Sequence, residues 1–260
     1  MDTPMPALFL GHGNPMHALL DNAYTRAWQD LGSRLPHPSA ILVISAHWQL
    51  PAAAVTAMPQ PRTIHDFGGF PRALYAVQYP CPGDPSLARR VASLFGPPPL
   101  ELDQSWGLDH GAWSLLRHLY PDASIPVIQL AMEAHAPATV HYQRGQQLAA
   151  LRDEGVLILG SGNIVHNLEL ARWEKDPQPE DWARRFDGWV REQISAGRDS
   201  ALLDPGMAGP DGTLAVPTPE HYWPLLYVLG TRRAEDRVTF PVEGIDMGSM
   251  SMTGVMLEST

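Results

Sequence analysis

Four short apolar runs alternate along this chain with segments of helical periodicity. The apolar runs are Ala7 to Leu10, Ala40 to Ser45, Ile125 to Met132 and Val156 to Leu159. Continuous apolar runs of this length predict strands that are buried on both faces. The helical segments are Tyr24 to Leu35, Ser86 to Phe95, Ala112 to Tyr120, Val140 to Arg152 and Glu180 to Ile194. This alternation predicts an α/β fold: a layered domain with a central, largely parallel (mixed) sheet flanked by helices.

The chain length and the lack of linker composition favour a single domain over residues 1–260. The last segment, Val238 to Glu258, lacks helical periodicity, and Gly244, Gly248 and Gly254 interrupt its short apolar pieces. An edge hairpin added to the sheet is the simplest interpretation of this segment.

Charge and composition exclude several classes of partner. Eighteen Lys and Arg against 28 Asp and Glu give a formal net charge of -10, which repels nucleic-acid phosphates. The N-terminal apolar stretch is too short for a signal sequence or a membrane span, so we expect a cytoplasmic protein without a membrane partner. One cysteine and eleven histidines mean that a tightly bound transition metal would need imidazole and carboxylate ligands.

Histidines follow three of the four predicted strands. His12 comes after the first run, His47 after the second, and His166 a few residues beyond the fourth. Ligands bind at the carboxyl ends of strands in open α/β sheets, so these three imidazoles are expected in one region. A lone histidine is more often a surface or core residue, but their shared placement predicts a common metal site.

Two further segments place histidines beside acids. Asp109 and His110 stand at the start of a predicted helix, where Asp109 alone would explain the segment as a helix cap. Glu220 and His221 open the apolar helix that runs through residues 225–229. Adjacent helical side chains point about 100° apart, so only one of this second pair is expected to face a metal.

The Gly160-Ser161-Gly162 loop suggests two other chemistries. A dinucleotide site needs a small residue where Val165 stands, and a phosphate loop needs a Gly-Lys pair that is absent. Ser161 as a nucleophile would need glycine where Leu159 stands. Neither nucleotide binding nor serine hydrolysis is therefore favoured.

Seven segments, in order along nearly the whole chain, resemble the class III extradiol ring-cleavage dioxygenases, and most closely the 4,5-DOPA dioxygenase extradiol family. They are GHGNPMHAL from Gly11, SAHW from Ser45, TIHDFGGFP from Thr63, LDHGAW from Leu108, GSGNIVHNL from Gly160, EHYWPLLYVLG from Glu220 and DMGSMSM from Asp246.

The resemblance implies a set of metal ligands. His12, His47 and His221 would hold one divalent ion, and His166 would be either a fourth ligand or the acid-base residue. Non-haem iron sites usually include a carboxylate, which makes Glu220 the fallback ligand. Fe(II) is expected for activity, because redox-inert zinc cannot pass an electron between a catechol and O2, although zinc suits the same imidazoles.

The resemblance also implies catalytic and substrate-binding roles. His166 would move a catechol proton, His110 would contact substrate or dioxygen by donating a hydrogen bond to an oxygen atom, and His65 would line the pocket. The expected reaction opens a DOPA-like or related catechol with O2 to a muconic-semialdehyde-type product. The alternatives are a zinc-dependent hydrolase and a catalytically silent metal- or ligand-binding homologue. The sequence does not indicate an oligomeric state.

Overall fold

The computed structural model describes residues 3–174 and 177–259. Its strands are β1 (Ala7–Gly11), β2 (Ala40–Leu50), β3 (Ala54–Thr56), β4 (Glu101–Asp103), β5 (Val127–Glu133), β6 (Val156–Gly162), β7 (Asp236–Thr239), β8 (Ile245–Asp246), β9 (Met250–Ser251) and β10 (Val255–Ser259). Its α-helices are α1 (Ala23–Arg34), α2 (Arg72–Tyr75), α3 (Pro85–Leu94), α4 (His110–Leu119), α5 (Ala138–Leu148), α6 (Asp181–Ser195), α7 (Pro210–Ala215) and α8 (Trp223–Gly230).

One eight-stranded mixed sheet organises the molecule, in the order β4-β3-β5-β2-β6-β1-β10-β7. The four strands predicted from apolar runs form its parallel centre, since β2 pairs in parallel with β5 and β6, and β6 with β1. Antiparallel pairing of β3 with β5 and of β10 with β1 adds the outer strands. The predicted α/β fold with a largely parallel, mixed sheet is confirmed.

Both faces of the sheet are covered. Along β1, Ala7 and Phe9 pack into one core with α3, α5, α6 and α8, whereas Leu8 and Leu10 pack into a second core with α1 and α4. The alternation follows from the period of two in a strand, and it explains why the strand sequences are apolar throughout.

The second strand is longer than its apolar run predicts. We expected it to end at Ser45, but β2 continues to Leu50, with a break in its register against β5 between Ile44 and Gln49. The irregular stretch replaces regular pairing at the carboxyl edge of the sheet, and it contains His47. His47 therefore lies within β2, not in a loop after it.

The predicted helices are present with shifted ends. α4 begins at His110, and the Asp109 carboxylate caps it by accepting from the backbone N–H of Ala112. The segment after α5 continues as a 3-10 helix, Ala149–Glu154, and ends at Gly155 with φ of 77°, directly before β6. Glu220 and His221 precede α8 in a turn, whereas the sequence predicted them in its first turn.

The C-terminal segment adds two antiparallel strands to the edge of the sheet, as predicted. β10 pairs with β1 and with β7. The connection between β7 and β10 is longer than a hairpin turn and contains a separate two-stranded ribbon of β8 and β9.

Across residues 3–174 and 177–259, every helix is too short or too polar to span a membrane.

Candidate active site

A cavity of about 240 Å³ opens at the carboxyl edge of the parallel strands. Its walls combine five histidines with apolar side chains: His12, Gly13, Asn14, Pro15, His47, Phe70, His110, His166, Leu168, Trp173, His221, Met247 and Met250. Every histidine predicted to ligate a metal or to move a proton is in this wall. The segments that supply them are up to about 200 residues apart in sequence, which is typical of a site built at strand ends.

Three histidines form a compact group within the cavity wall. One ring nitrogen each from His12, His47 and His221 lies within 4.8 Å of the other two. The Nε2 atoms of His12 and His47 are 3.2 Å apart. His12 and His221 are buried, and His47 is partly buried.

The hydrogen bonds of Ser161 fix the ring of His12. The Ser161 hydroxyl donates to the carbonyl of Gly111 at 2.6 Å, so its single proton is already committed. Its oxygen lies 3.0 Å from His12 Nδ1 and must therefore accept a proton from that nitrogen. Neutral His12 consequently keeps a free lone pair on Nε2, the nitrogen that faces His47.

His221 is positioned by a close backbone approach at the end of β6. The N–H of Asn163 donates to the carbonyl of His221 at 2.8 Å. A Cβ at Gly162 would lie only 2.1 Å from that carbonyl oxygen, so this approach requires glycine. The carboxylate of Glu220 lies 3.2 Å from His221 Nδ1 and accepts its proton, which leaves Nε2 of His221 free as well.

These donors fit a divalent transition metal. The 3.2 Å between the Nε2 atoms of His12 and His47 matches the separation of two nitrogen ligands on one ion. Metal–nitrogen bonds of about 2.0–2.1 Å place neighbouring nitrogen ligands roughly 3.0–3.4 Å apart. Each candidate ligand also has an oxygen beside its Nδ1, as metal-bound histidines usually do. This oxygen belongs to Ser161 for His12, to Asp66 for His47 and to Glu220 for His221.

His166 lies beside this group and not within it. Its ring stacks on that of His221, with centroids 3.5 Å apart and an interplanar angle of 5°. It forms a separate potential ligand group with Glu220 and His221, without His12 or His47. The geometry therefore favours His166 as a neighbour of the metal site over a member of the compact group. The fallback ligand Glu220 contacts Nδ1 of His221 and is not a member of that compact group.

His110 contacts the ligand group through its ring and is held by Asp66. Its ring centroid is 3.9 Å from that of His47. Asp66 accepts from both the backbone N–H of His110, at 2.9 Å, and its Nδ1, at 3.0 Å. His110 lines the cavity, as its predicted contact with substrate or dioxygen requires.

Burial keeps the clustered imidazoles neutral at neutral pH. Burial, followed by repulsion from neighbouring histidines, lowers the pKa of His12 and that of His221 well below the usual range. Burial likewise lowers the pKa of His47 to about 3 and that of His166 to about 4. Neutral rings are the form that binds a metal.

His65, which was predicted to line the pocket, does not lie in the cavity wall. Its Nε2 lies 2.9 Å from the carbonyl of Val77, and its ring packs among Phe67, Tyr75 and Trp113. Its neighbour Asp66 instead contacts two histidines of the cavity wall, His47 and His110.

Sequence reasoning missed several residues of the site. Asp66 and Ser161 orient histidines, and the signal for both was present, because each lies inside a segment that carried the family resemblance. Met247 and Met250 belong to another such segment. Trp173 lies outside all of those segments, and only its exposed position at the cavity shows its relevance.

The fold and the histidine cluster define an α/β protein with a potential metal site at the carboxyl edge of its parallel strands. The family model for the catalytic LigB subunit of aromatic ring-opening dioxygenase matches residues 6–246. This chain therefore belongs to that family, and the dioxygenase class predicted from its motifs is confirmed.

Full-length relatives agree with this family. The chain is 51% identical over 258 residues to a 4,5-DOPA dioxygenase extradiol of Escherichia coli strain K12, covering 98% of this chain and 95% of that protein. It is 37% identical to a protein of the same name from Beta vulgaris, covering 100% and 98%. A crystal structure of an uncharacterized Escherichia coli K12 protein superposes with a TM-score of 0.84 at 47% identity, covering 97% of this chain and 99% of that one.

Proposed function

We propose that this protein is a metal-dependent extradiol dioxygenase that opens the aromatic ring of a catechol with O2. Both oxygen atoms enter the product, a muconic semialdehyde, so the reaction needs no external reductant. The observation that carries the proposal is the compact group of His12, His47 and His221, in the wall of a cavity that His110 and His166 also line.

His12, His47 and His221 would hold the metal, with Fe(II) as the active ion. When bound, Fe(II) supplies the electron transfer between a catecholate and O2 that redox-inert zinc cannot supply. Three neutral ligands leave the positive charge of the ion uncompensated, which favours an anionic substrate in the cavity. Zinc fits the same three nitrogens and is the expected ion in protein isolated without added iron.

His166 is suited to take a proton from a catechol hydroxyl. Burial keeps its imidazole neutral, so a ring nitrogen is free to accept. The carboxylate of Glu220, whose charge raises the pKa of His166 against the effect of burial, would stabilise the imidazolium that forms. The same imidazolium can return its proton as the ring opens.

The apolar side of the cavity is suited to an aromatic ring. Phe70, Met247, Met250 and Trp173 line it. Aromatic and thioether side chains pack well against a flat ring, and they exclude water from the reacting atoms. The relatives from Escherichia coli and Beta vulgaris are named for 4,5-DOPA cleavage, which makes DOPA the first catechol to test.

The decisive experiment compares iron-loaded and zinc-loaded protein in an oxygen electrode with DOPA and other catechols. The iron form should consume one O2 per ring opened, and the zinc form none. His166→Ala should retain metal and lose turnover, while His37→Ala, which removes an exposed histidine outside the cavity, should change neither. If the iron form consumes no O2 with any catechol while the zinc form hydrolyses esters or amides, the protein is a zinc hydrolase and the proposal is wrong.

A further inference from the structure

One carboxylate, that of Asp66, lies between two histidines of the cavity. Its Oδ1 accepts from the backbone N–H of His110 at 2.9 Å, which anchors the group. Its Oδ2 lies 3.0 Å from Nδ1 of His110 and 3.4 Å from Nδ1 of His47. The side chain is 17% exposed, so most of it is withdrawn from water.

A carboxylate accepts hydrogen bonds and donates none, and a neutral imidazole has one N–H. An Nδ1 atom that faces Asp66 therefore carries the proton of its ring, and Nε2 carries the lone pair. For His47 this frees the nitrogen that faces His12. Ser161 and Glu220 each hydrogen-bond to the ring of one histidine, whereas the Asp66 carboxylate lies beside Nδ1 of both a candidate metal ligand and a second cavity histidine.

The same geometry reverses the expected role of His110. The sequence predicted that His110 donates a hydrogen bond to an oxygen atom. With its Nδ1 proton directed to Asp66, neutral His110 offers an acceptor at Nε2. It is thus suited to receive a hydrogen bond from a catechol hydroxyl.

We propose that Asp66 is a positioning residue that sets the tautomer of both His47 and His110, so that Nε2 of His47 binds the metal and Nε2 of His110 accepts from the substrate. The inference rests on the metal site of the proposed function. Its test needs no turnover, so it can fail or succeed independently of oxygen consumption.

The test compares two substitutions of Asp66. Asp66→Asn keeps the shape and can keep the anchor to the His110 N–H, but it puts an NH2 donor against the two Nδ1 atoms and so favours the wrong tautomer. Asp66→Ala removes the acceptor without adding a donor. If Asp66 acts only through its shape, Asp66→Ala should weaken zinc binding more than Asp66→Asn. If Asp66 sets the tautomer of the two histidines, Asp66→Asn should weaken zinc binding more.

Zinc affinity is measured by competition with a chromophoric chelator. We expect Asp66→Asn to bind zinc about 10- to 100-fold more weakly than the wild type, the usual effect of losing a partner behind a ligand, and Asp66→Ala to lose less. Asp84→Asn is the matched control: it removes one carboxylate at the start of α3, where asparagine also caps a helix, and should leave zinc affinity unchanged.

Nitrogen-15 spectra of the histidine side chains in zinc-loaded protein give a second readout. The His110 signal, assigned by its loss in His110→Gln, should show Nδ1–H in the wild type and Nε2–H in Asp66→Asn. The proposal is overturned if Asp66→Asn binds zinc as tightly as the wild type, if Asp66→Ala loses as much affinity as Asp66→Asn or more, or if His110 of the wild type carries its proton on Nε2.

Discussion

Ser161 determines which nitrogen of His12 is free. Its hydroxyl joins the carbonyl of Gly111 to the Nδ1 proton of His12. We expect Ser161→Ala to weaken zinc binding about tenfold or more, because His12 loses the acceptor that holds its tautomer. A competition titration measures this.

Ser114→Ala is the matched control for Ser161→Ala. Ser114 is buried, and its hydroxyl has no hydrogen-bond partner among the described residues. Its removal should leave zinc affinity unchanged. Equal affinities for the two variants would show that Ser161 has no special relation to His12.

Trp173 is a large apolar side chain that water reaches: 70% of it is exposed, although it lines the cavity. An exposed indole ring that lines a cavity can bury its apolar surface against a ligand. We expect Trp173→Ala to raise KM several-fold for catechols with a large apolar substituent and to change KM little for unsubstituted catechol. Trp173→Phe should keep most of the affinity, and an equal rise in KM for both substrates would contradict this role.

The sequence did not predict which of two neighbouring residues, His65 or Asp66, faces the candidate site. The segment was recognised from its sequence, but only one of these neighbouring side chains contacts the cavity histidines. The choice between them depends on how the segment lies against Leu108, to which Thr63 pairs in parallel. That contact is tertiary, so the motif identified the segment and left the facing residue undetermined.

At the scale of elements, β6 and the turn before α8 are joined at Gly162. A Cβ there would meet the His221 carbonyl at 2.1 Å and the ring of Pro224 at 3.3 Å. We expect Gly162→Ala to push the His221 turn away from β6, with a fall in both melting temperature and bound zinc per chain.

Gly188→Ala should have the opposite effect on stability. Gly188 lies in α6, where an added Cβ has open space around it. Alanine is favoured over glycine within a helix by about 0.5–1 kcal/mol, so the variant should unfold at a higher urea concentration with unchanged zinc content. Loss of zinc in this variant would show that metal content is a poor measure of local geometry at Gly162.

Elements whose sequence pattern is set by local burial were predictable. The apolar runs predicted the parallel centre of the sheet, and the sequence also predicted α4 with its cap at Asp109. The extension of β2 through His47 was not predictable, because a break in register depends on the partner strand and leaves no periodic signal in the sequence.

Across the whole molecule, a buried ion pair ties the C-terminal strands to the rest. The side chains of Arg152 and Asp236 are both completely buried, and the guanidinium also donates to the carbonyls of Met5, Thr231 and Leu257. We expect Asp236→Asn to destabilise the protein by about 3–5 kcal/mol in urea unfolding, because it leaves a buried charge without its partner. Glu258→Gln, which breaks the exposed pair with Arg237, should cost about 1 kcal/mol or less.

The order of the chain has a consequence for how the protein matures in the cell. His12 and His47 come early, His221 comes late, and the cavity wall is completed by Met247 and Met250. All three imidazoles can therefore meet only after the segment that carries His221 has emerged from the ribosome. With the proposed ligand set, the metal could be fully coordinated only after that point, and a chain that stops before residue 221 would lack one of the three proposed ligands.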